Sequence, residues 1–288
     1  MTAHSLPLPR QRAILLGASN LTNAFRAILP RIQELRGEAV DVLAALGHGR
    51  SYGWRTNVIG RELPSIRDCG IWAKWAREIE LPTVALVTDL GNDLFYGATA
   101  AEILAWVDDC LTRLSPRCER VVVTLVPMAN AAGISEGRYT ALRDVCFRQC
   151  QLSLEQMRAA AAALNDGLAE LAARHRTALI DQPARWYGWD PIHHRKNIWP
   201  EVWGTTLASW RVAPRLAQPQ PAEKSERGGA LEMHVLSRAA TRAEPPRALT
   251  LRHWWRACWP ESQRLFGREQ HWPQPVFCGS DGARLSLY

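Results

Sequence analysis

The sequence predicts an α/β protein whose parallel sheet is covered by helices on both faces. Three observations carry that expectation. Short apolar runs alternate with helical periodicity along the N-terminal two thirds of the chain. The runs are apolar and β-branched enough to be buried on both faces. Several of them end at a cluster of glycine and polar residues, and in such sheets ligands bind outside the carboxyl ends of the strands.

In order, Ala13 to Leu16 is the first run and stops at Gly17, with a helical stretch over residues 20–36 behind it. Ala39 to Leu46 is the second and closes on the Gly47-His48-Gly49 turn. Thr83 to Thr88 is the third. Thr99-Ala-Ala-Glu102 then forms a capping box, and Ile103, Leu104, Val107, Leu111 and Leu114 recur at helical spacing. Val121 to Val126 is the fourth run. Tyr139 to His175 is Ala-rich and reads as one long helix with a break near Asn165-Asp-Gly167. Ala178 to Asp181 is the fifth strand, and a last helix is expected over residues 200–210.

The 288 residues, 47% hydrophobic and 22% charged, suffice for one domain with an appendage. No self-similar period marks a repeat array, and the longest apolar run, Val121 to Met128, falls well short of the roughly 20 residues of a membrane span. No signal-peptide core follows the N-terminus, so a cytoplasmic protein is expected. Seven cysteines form no CxxC pair and lack partners at metal-ligand spacing, so no metal site is expected. The net charge of +7 is mostly interspersed, with 11 basic against 7 acidic residues from position 212 onward, and suggests a solvated surface rather than a nucleic-acid binder.

Beyond Trp210 the composition changes. Residues 212–248, rich in Pro, Gln and Arg, read as a mobile linker after a domain of residues 1–211. Residues 249–288 read as a small extension of unknown function. In it, Val276-Phe-Cys and Ala283 to Tyr288 flank a Gly279-Ser-Asp-Gly282 turn as a hairpin, with Trp254, Trp255, Trp259 and Trp272 as its core.

The chemistry sits at strand ends. Gly17-Ala18-Ser19-Asn20-Leu21 places a serine at the start of a helix, where the same residue could be an N-cap. Thr88-Asp89-Leu90-Gly91-Asn92-Asp93 brings an amide to the same rim. Downstream, Asp190-Pro-Ile-His193 puts a carboxylate three residues before an imidazole, a spacing that lets the acid fix the base's tautomer. Together these blocks resemble the SGNH/GDSL hydrolase superfamily over residues 12–211. Gly17-Ala-Ser19-Asn-Leu21 is similar to its GDS(L) block, the glycine turn after the second strand to its Gly block, Gly91-Asn92-Asp93 to its GxND block and Asp190-Pro-Ile-His193 to its DxxH block.

The resemblance implies a flavodoxin-like three-layer α/β/α sandwich with a central parallel sheet. It also implies cofactor-free hydrolysis of small-molecule esters or acylated substrates, as an esterase, lipase-like enzyme or deacetylase. By the same resemblance Ser19 is the nucleophile, His193 its general base and Asp190 the residue that orients His193. The oxyanion donors are the Ser19 N–H, the Gly49 N–H, with Gly47 as rival, and the Asn92 amide. Two departures stand out: Ala18 replaces the family's aspartate, and His194 follows His193 where proline is common.

Two alternatives remain. Gly49-Arg-Ser51-Tyr-Gly53 also spells the nucleophile elbow of α/β-hydrolases, with Ser51 as nucleophile. An inactive binding module on the same fold is the other. Trp186, Tyr187, Trp189 and Trp199, with Tyr52, Trp54, Phe95 and Tyr96, either hold substrate or pack under loops, and residues 129–138 are expected as a mobile flap.

Overall fold

Each of the five apolar runs becomes a strand, because crossover helices cover both its faces. The computed structural model describes residues 7–37, 39–128, 133–211 and 260–288. In chain order the first strands are β1 (Gln11–Leu16), β2 (Val40–Ala45), the short pair β3 (Thr56–Val58) and β4 (Arg61–Leu63), then β5 (Thr83–Val87), β6 (Arg120–Thr124) and β7 (Ala178–Ile180). β2, β1, β5, β6 and β7 lie side by side and parallel. Counted among themselves they run 2-1-3-4-5, the doubly wound flavodoxin-like order, whose switch point falls between β1 and β5.

Seven helices are described: α1 (Ser19–Arg36), α2 (Ile71–Arg77), α3 (Asn92–Phe95), α4 (Ala100–Leu114), α5 (Glu136–Cys146), α6 (Leu154–His175) and α7 (Trp199–Ala208). Successive strand residues point to opposite layers. Ile14 and Leu16 of β1 join one core with α2, α4 and α6, whereas Ala13 and Leu15 join the other with α1 and α7.

The long helix expected over residues 139–175 is two helices. Ser153 starts the second with a full capping box to Gln156, a signal worth about 1 kcal/mol that the Ala-rich composition obscured. Nor does the chain break at Asn165-Asp-Gly167. The Asn165 amide instead pairs with both backbone groups of Val126, at 2.8 and 2.9 Å. Gly167 lets α4 approach, since a Cβ there would fall 2.2 Å from Leu104 Cδ1.

The C-terminal residues extend the same sheet instead of standing apart. They supply β8 (Ser262–Leu265), β9 (Arg268–His271), β10 (Phe277–Cys278) and β11 (Arg284–Leu287). The expected hairpin is β10 with β11, and β11 then adds parallel to β2, so the main sheet has seven strands. β3, β4, β8 and β9 form a second, antiparallel sheet that the sequence pattern did not suggest. The linker proposed for residues 212–248 and three of the four tail tryptophans, Trp254, Trp255 and Trp259, lie outside the described residues, as do residues 129–132 of the expected flap. The rest of that flap enters α5, whose Arg138 guanidinium donates to the carbonyls of Gly188 and Trp189.

Candidate active site

The register of the parallel strands brings three sequence blocks to one rim. Leu16 pairs with Ala45 on one side and Val87 on the other, so these three positions stand abreast at the carboxyl ends of neighbouring strands. Ser19 follows Leu16 by three residues, Gly49 follows Ala45 by four and Asn92 follows Val87 by five. Tyr52 ties the ends together, its buried hydroxyl within 3.0 Å of the Leu16 carbonyl and 2.8 Å of the Thr88 carbonyl. It is packing, not a substrate contact.

At the serine, the N-cap expectation needs correcting. Ser19 is the first residue inside α1, and the cap residue is Ala18, which has no side chain to offer. The carboxylate comes from β5's loop. Asp89, held at φ 63°, accepts from Ala18 N–H at 2.8 Å and Leu21 N–H at 3.2 Å through one oxygen, and from the Asn20 amide at 3.0 Å through the other. Asp89 therefore caps the helix from outside and leaves the serine hydroxyl out of that task. Among the described residues nothing is hydrogen-bonded to the Ser19 hydroxyl, including His193.

The Asp190 loop folds on its own carboxylate. One Asp190 oxygen accepts from Ile192 N–H at 2.9 Å and His193 N–H at 3.2 Å, and the other meets His193 Nδ1 at 2.7 Å. Asn20 then clamps this loop to α1. Its amide donates to the Ile192 carbonyl at 3.0 Å and its oxygen accepts from His194 N–H at 2.9 Å, so both neighbours of His193 are fixed. The bond to Asp190 raises the His193 pKa against the pull of burial, with the Asp89 charge adding to it. Burial alone would raise the Asp190 pKa, but the bonds from His193 and Ile192 outweigh it and leave it low.

The two adjacent histidines have opposite environments. His194 is buried against Trp186, Tyr187 and Trp203. Gln182 donates its amide to the Leu125 carbonyl and presents its oxygen to Tyr187 O–H and His194 Nε2, so Nε2 carries the proton. Burial lowers the His194 pKa to about 4, which keeps the ring neutral. His193 is thus the imidazole paired with a carboxylate.

Both glycine candidates adjoin the same turn. A Cβ on Gly47 would strike Leu63 Cδ1 at 2.2 Å, which marks a packing glycine. Gly49 has φ 65°, and a Cβ there would meet Val58 Cγ2 at 2.4 Å. The Gly49 carbonyl accepts from Tyr96 O–H at 2.9 Å, while among the described residues its N–H has no protein acceptor. Ser51 is fully buried, and its hydroxyl accepts from Gly53 N–H at 3.1 Å and Trp54 N–H at 2.9 Å. That corrects the elbow alternative: Ser51 is a turn-building serine facing Asp93, with no histidine bonded to it among the described residues.

No family model matches the chain, and no curated protein does. Solved structures do. A member of the lipolytic G-D-S-L family from Veillonella parvula is 12% identical, over 70% of this chain and 100% of its own, with a TM-score of 0.44. The M. smegmatis aryl esterase is 14% identical over 69% and 99%, at 0.43. A carbohydrate acetylesterase family member from Sinorhizobium meliloti is 14% identical over 68% and 95%, at 0.46. The chain is similar to esterases of the GDSL/SGNH type.

An apolar pocket opens beside the Asn92 end of the rim. Its walls include Leu94, Phe95, Val126, Leu142, Leu154 and Met157, with Asn20, Asn92 and Ile192 at the site end, and the space within them, open solvent included, is about 800 Å³. Among the described residues no cluster of His, Cys, Asp or Glu could hold a metal ion, and no helix is long and apolar enough to cross a membrane.

Proposed function

We propose that the chain hydrolyses carboxylic esters through an acyl-enzyme on Ser19. The observation that carries this reading is the Asp190–His193 pair at 2.7 Å, fastened to the serine's own helix by Asn20. A hydroxyl at neutral pH attacks a carbonyl only when a base takes its proton, and His193 Nε2, with Nδ1 engaged by Asp190, is that base. Ser19 Oγ bonds to the carbonyl carbon as its proton passes to His193. The oxyanion is met by the N–H groups of Ser19 and Gly49 and by the Asn92 amide, and its collapse expels the alcohol, which takes the proton back from His193. Water then repeats the sequence and releases the acid. The Asp190 charge stabilises the imidazolium at each turn.

The adjoining pocket favours acids larger than acetic as the acyl part, because its lining is apolar and it meets the site at Asn92. Hydrolysis of a chromogenic ester series from acetyl to octanoyl tests this. The expected kcat/KM rises from two to about eight carbons, by roughly fourfold per methylene fully buried, and vanishes in His193→Ala. No hydrolysis above background by the native chain would contradict the function, and a preference for acetyl would contradict the acyl pocket.

A further inference from the structure

The second sheet ends in two tight turns that the ester chemistry does not use. Val58-Ile59-Gly60-Arg61 joins β3 to β4, and Leu265-Phe266-Gly267-Arg268 joins β8 to β9. Ile59 and Phe266 stand first in their turns at φ 50° and 45°, and the glycines that follow are at 77° and 81°. Two consecutive positive φ values define the type I′ hairpin turn, where asparagine or aspartate suits the first position. A β-branched isoleucine in the left-handed region is strained.

Burial does not compensate that strain. Ile59 is 91% exposed and Phe266 is 78% exposed. The tips lie side by side, because Phe266 N–H donates to the Gly60 carbonyl at 2.7 Å and the Phe266 ring covers Gly60. On and beside these hairpins Arg55, Arg61, Arg264 and Arg268 stand with Glu62, Glu261 and Glu269; Glu62 pairs with Arg55 and Arg264 and Glu269 with Arg264, which leaves a surplus of one positive charge. It also stands at the mouth of the site: Val58, next to Ile59, packs on Gly49 of the rim. On the loop bearing Asp190, Trp189 is 81% exposed, with the Arg138 guanidinium 5.7 Å from its ring centre.

We infer that the Ile59 and Phe266 tips dock the mouth of the site onto an anionic lipid surface. The two apolar side chains enter the boundary between headgroups and acyl chains, and the arginines meet the phosphates. A second copy of the chain would bring arginine against arginine, which disfavours a dimer through these tips. Docking rests on the surface alone. Its use, delivering lipid-borne esters to Ser19, rests on the hydrolase reading.

The test is co-sedimentation of the full chain with phosphatidylglycerol/phosphatidylcholine vesicles and with phosphatidylcholine vesicles, at low and high salt. Binding to the anionic vesicles that weakens with salt is expected. The double variant Ile59→Asn with Phe266→Asn installs the favoured Asn-Gly turns, so its thermal unfolding midpoint should match or exceed that of the native chain. Its partition onto anionic vesicles should fall at least tenfold, while hydrolysis of a soluble short-chain ester stays unchanged. Absence of anionic binding by the native chain, or undiminished binding by the folded double variant, would overturn the inference. So would self-association of the native chain that the double variant abolishes. Vesicle binding lost in the double variant, in a chain that hydrolyses no ester, would leave docking standing and remove only the hydrolase reading.

Discussion

Gly17-Ala-Ser19 and Gly49-Arg-Ser51 follow adjacent strands and spell the same G-x-S, yet the two turns use their serines in opposite ways. Ser51 is fully buried and its hydroxyl caps the Gly53 and Trp54 N–H groups. Ser19 opens a helix whose capping is done by Asp89, so its hydroxyl has no structural task among the described residues. A serine that satisfies local backbone donors is held in place by them, whereas a nucleophile must be free to give up its proton. The difference lies in a carboxylate about 70 residues away, not in the local sequence.

The comparison breaks most visibly at the oxyanion side. Asn92→Ala removes an amide that has no side-chain hydrogen bond among the described residues, and kcat should fall by about 10²–10³, or 2.7–4 kcal/mol, with little change in KM. A loss in thermal stability of matching size would reassign Asn92 to the turn.

Asn20→Ala comes next. It frees the His193 loop from α1 without touching the reacting atoms, so kcat should drop by roughly 10- to 100-fold while KM holds, as expected for misplacement on the scale of 1 Å. The Asp89→Asn variant sharpens this further. It keeps an acceptor for the helix but removes a charge that raises the His193 pKa, so the acid limb of kcat/KM should move to lower pH. An unmoved limb would show that Asp89 acts only as a cap.

A separate effect is on stability below the Ser51 turn. Burial raises the Asp93 pKa to about 6, against an ordinary value of 3.8, despite bonds from Ser51 and Tyr52 N–H. A raised folded pKa means that the folded state holds the proton more tightly than the unfolded one. The stabilisation is complete below about pH 4 and is lost as pH rises through about 6. Asp93→Asn should therefore gain on the native chain by on the order of 2–3 kcal/mol between those limits, measured by urea unfolding at each pH. A difference independent of pH would contradict the assignment.

These same residues define what was legible in the sequence. Strands buried on both faces must be apolar throughout, so the five parallel strands β1, β2, β5, β6 and β7 and their order of appearance were readable, as was the Thr99 capping box, whereas the parallel pairing of β11 with β2 was not. The second sheet was not, because β8 and β9 read Ser-Gln-Arg-Leu and Arg-Glu-Gln-His and carry no alternation to detect. In the site, Ser19, Asn92, Asp190 and His193 could be nominated from short blocks. Asn20 and Asp89 could not, since their bonds join positions up to 174 residues apart. His193 was chosen over His194 by its spacing from Asp190, and the fold adds that the His194 ring is buried among aromatic side chains.

Labelling with a fluorophosphonate, followed by mass mapping of the modified peptide, tests the central claim most directly. The reagent reacts with a serine that a neighbouring base has activated. The account predicts label on Ser19 in the native chain and its loss in His193→Ala, with Ser51 unmodified in both. Label on Ser51, or no label on a chain that is demonstrably folded, would contradict it.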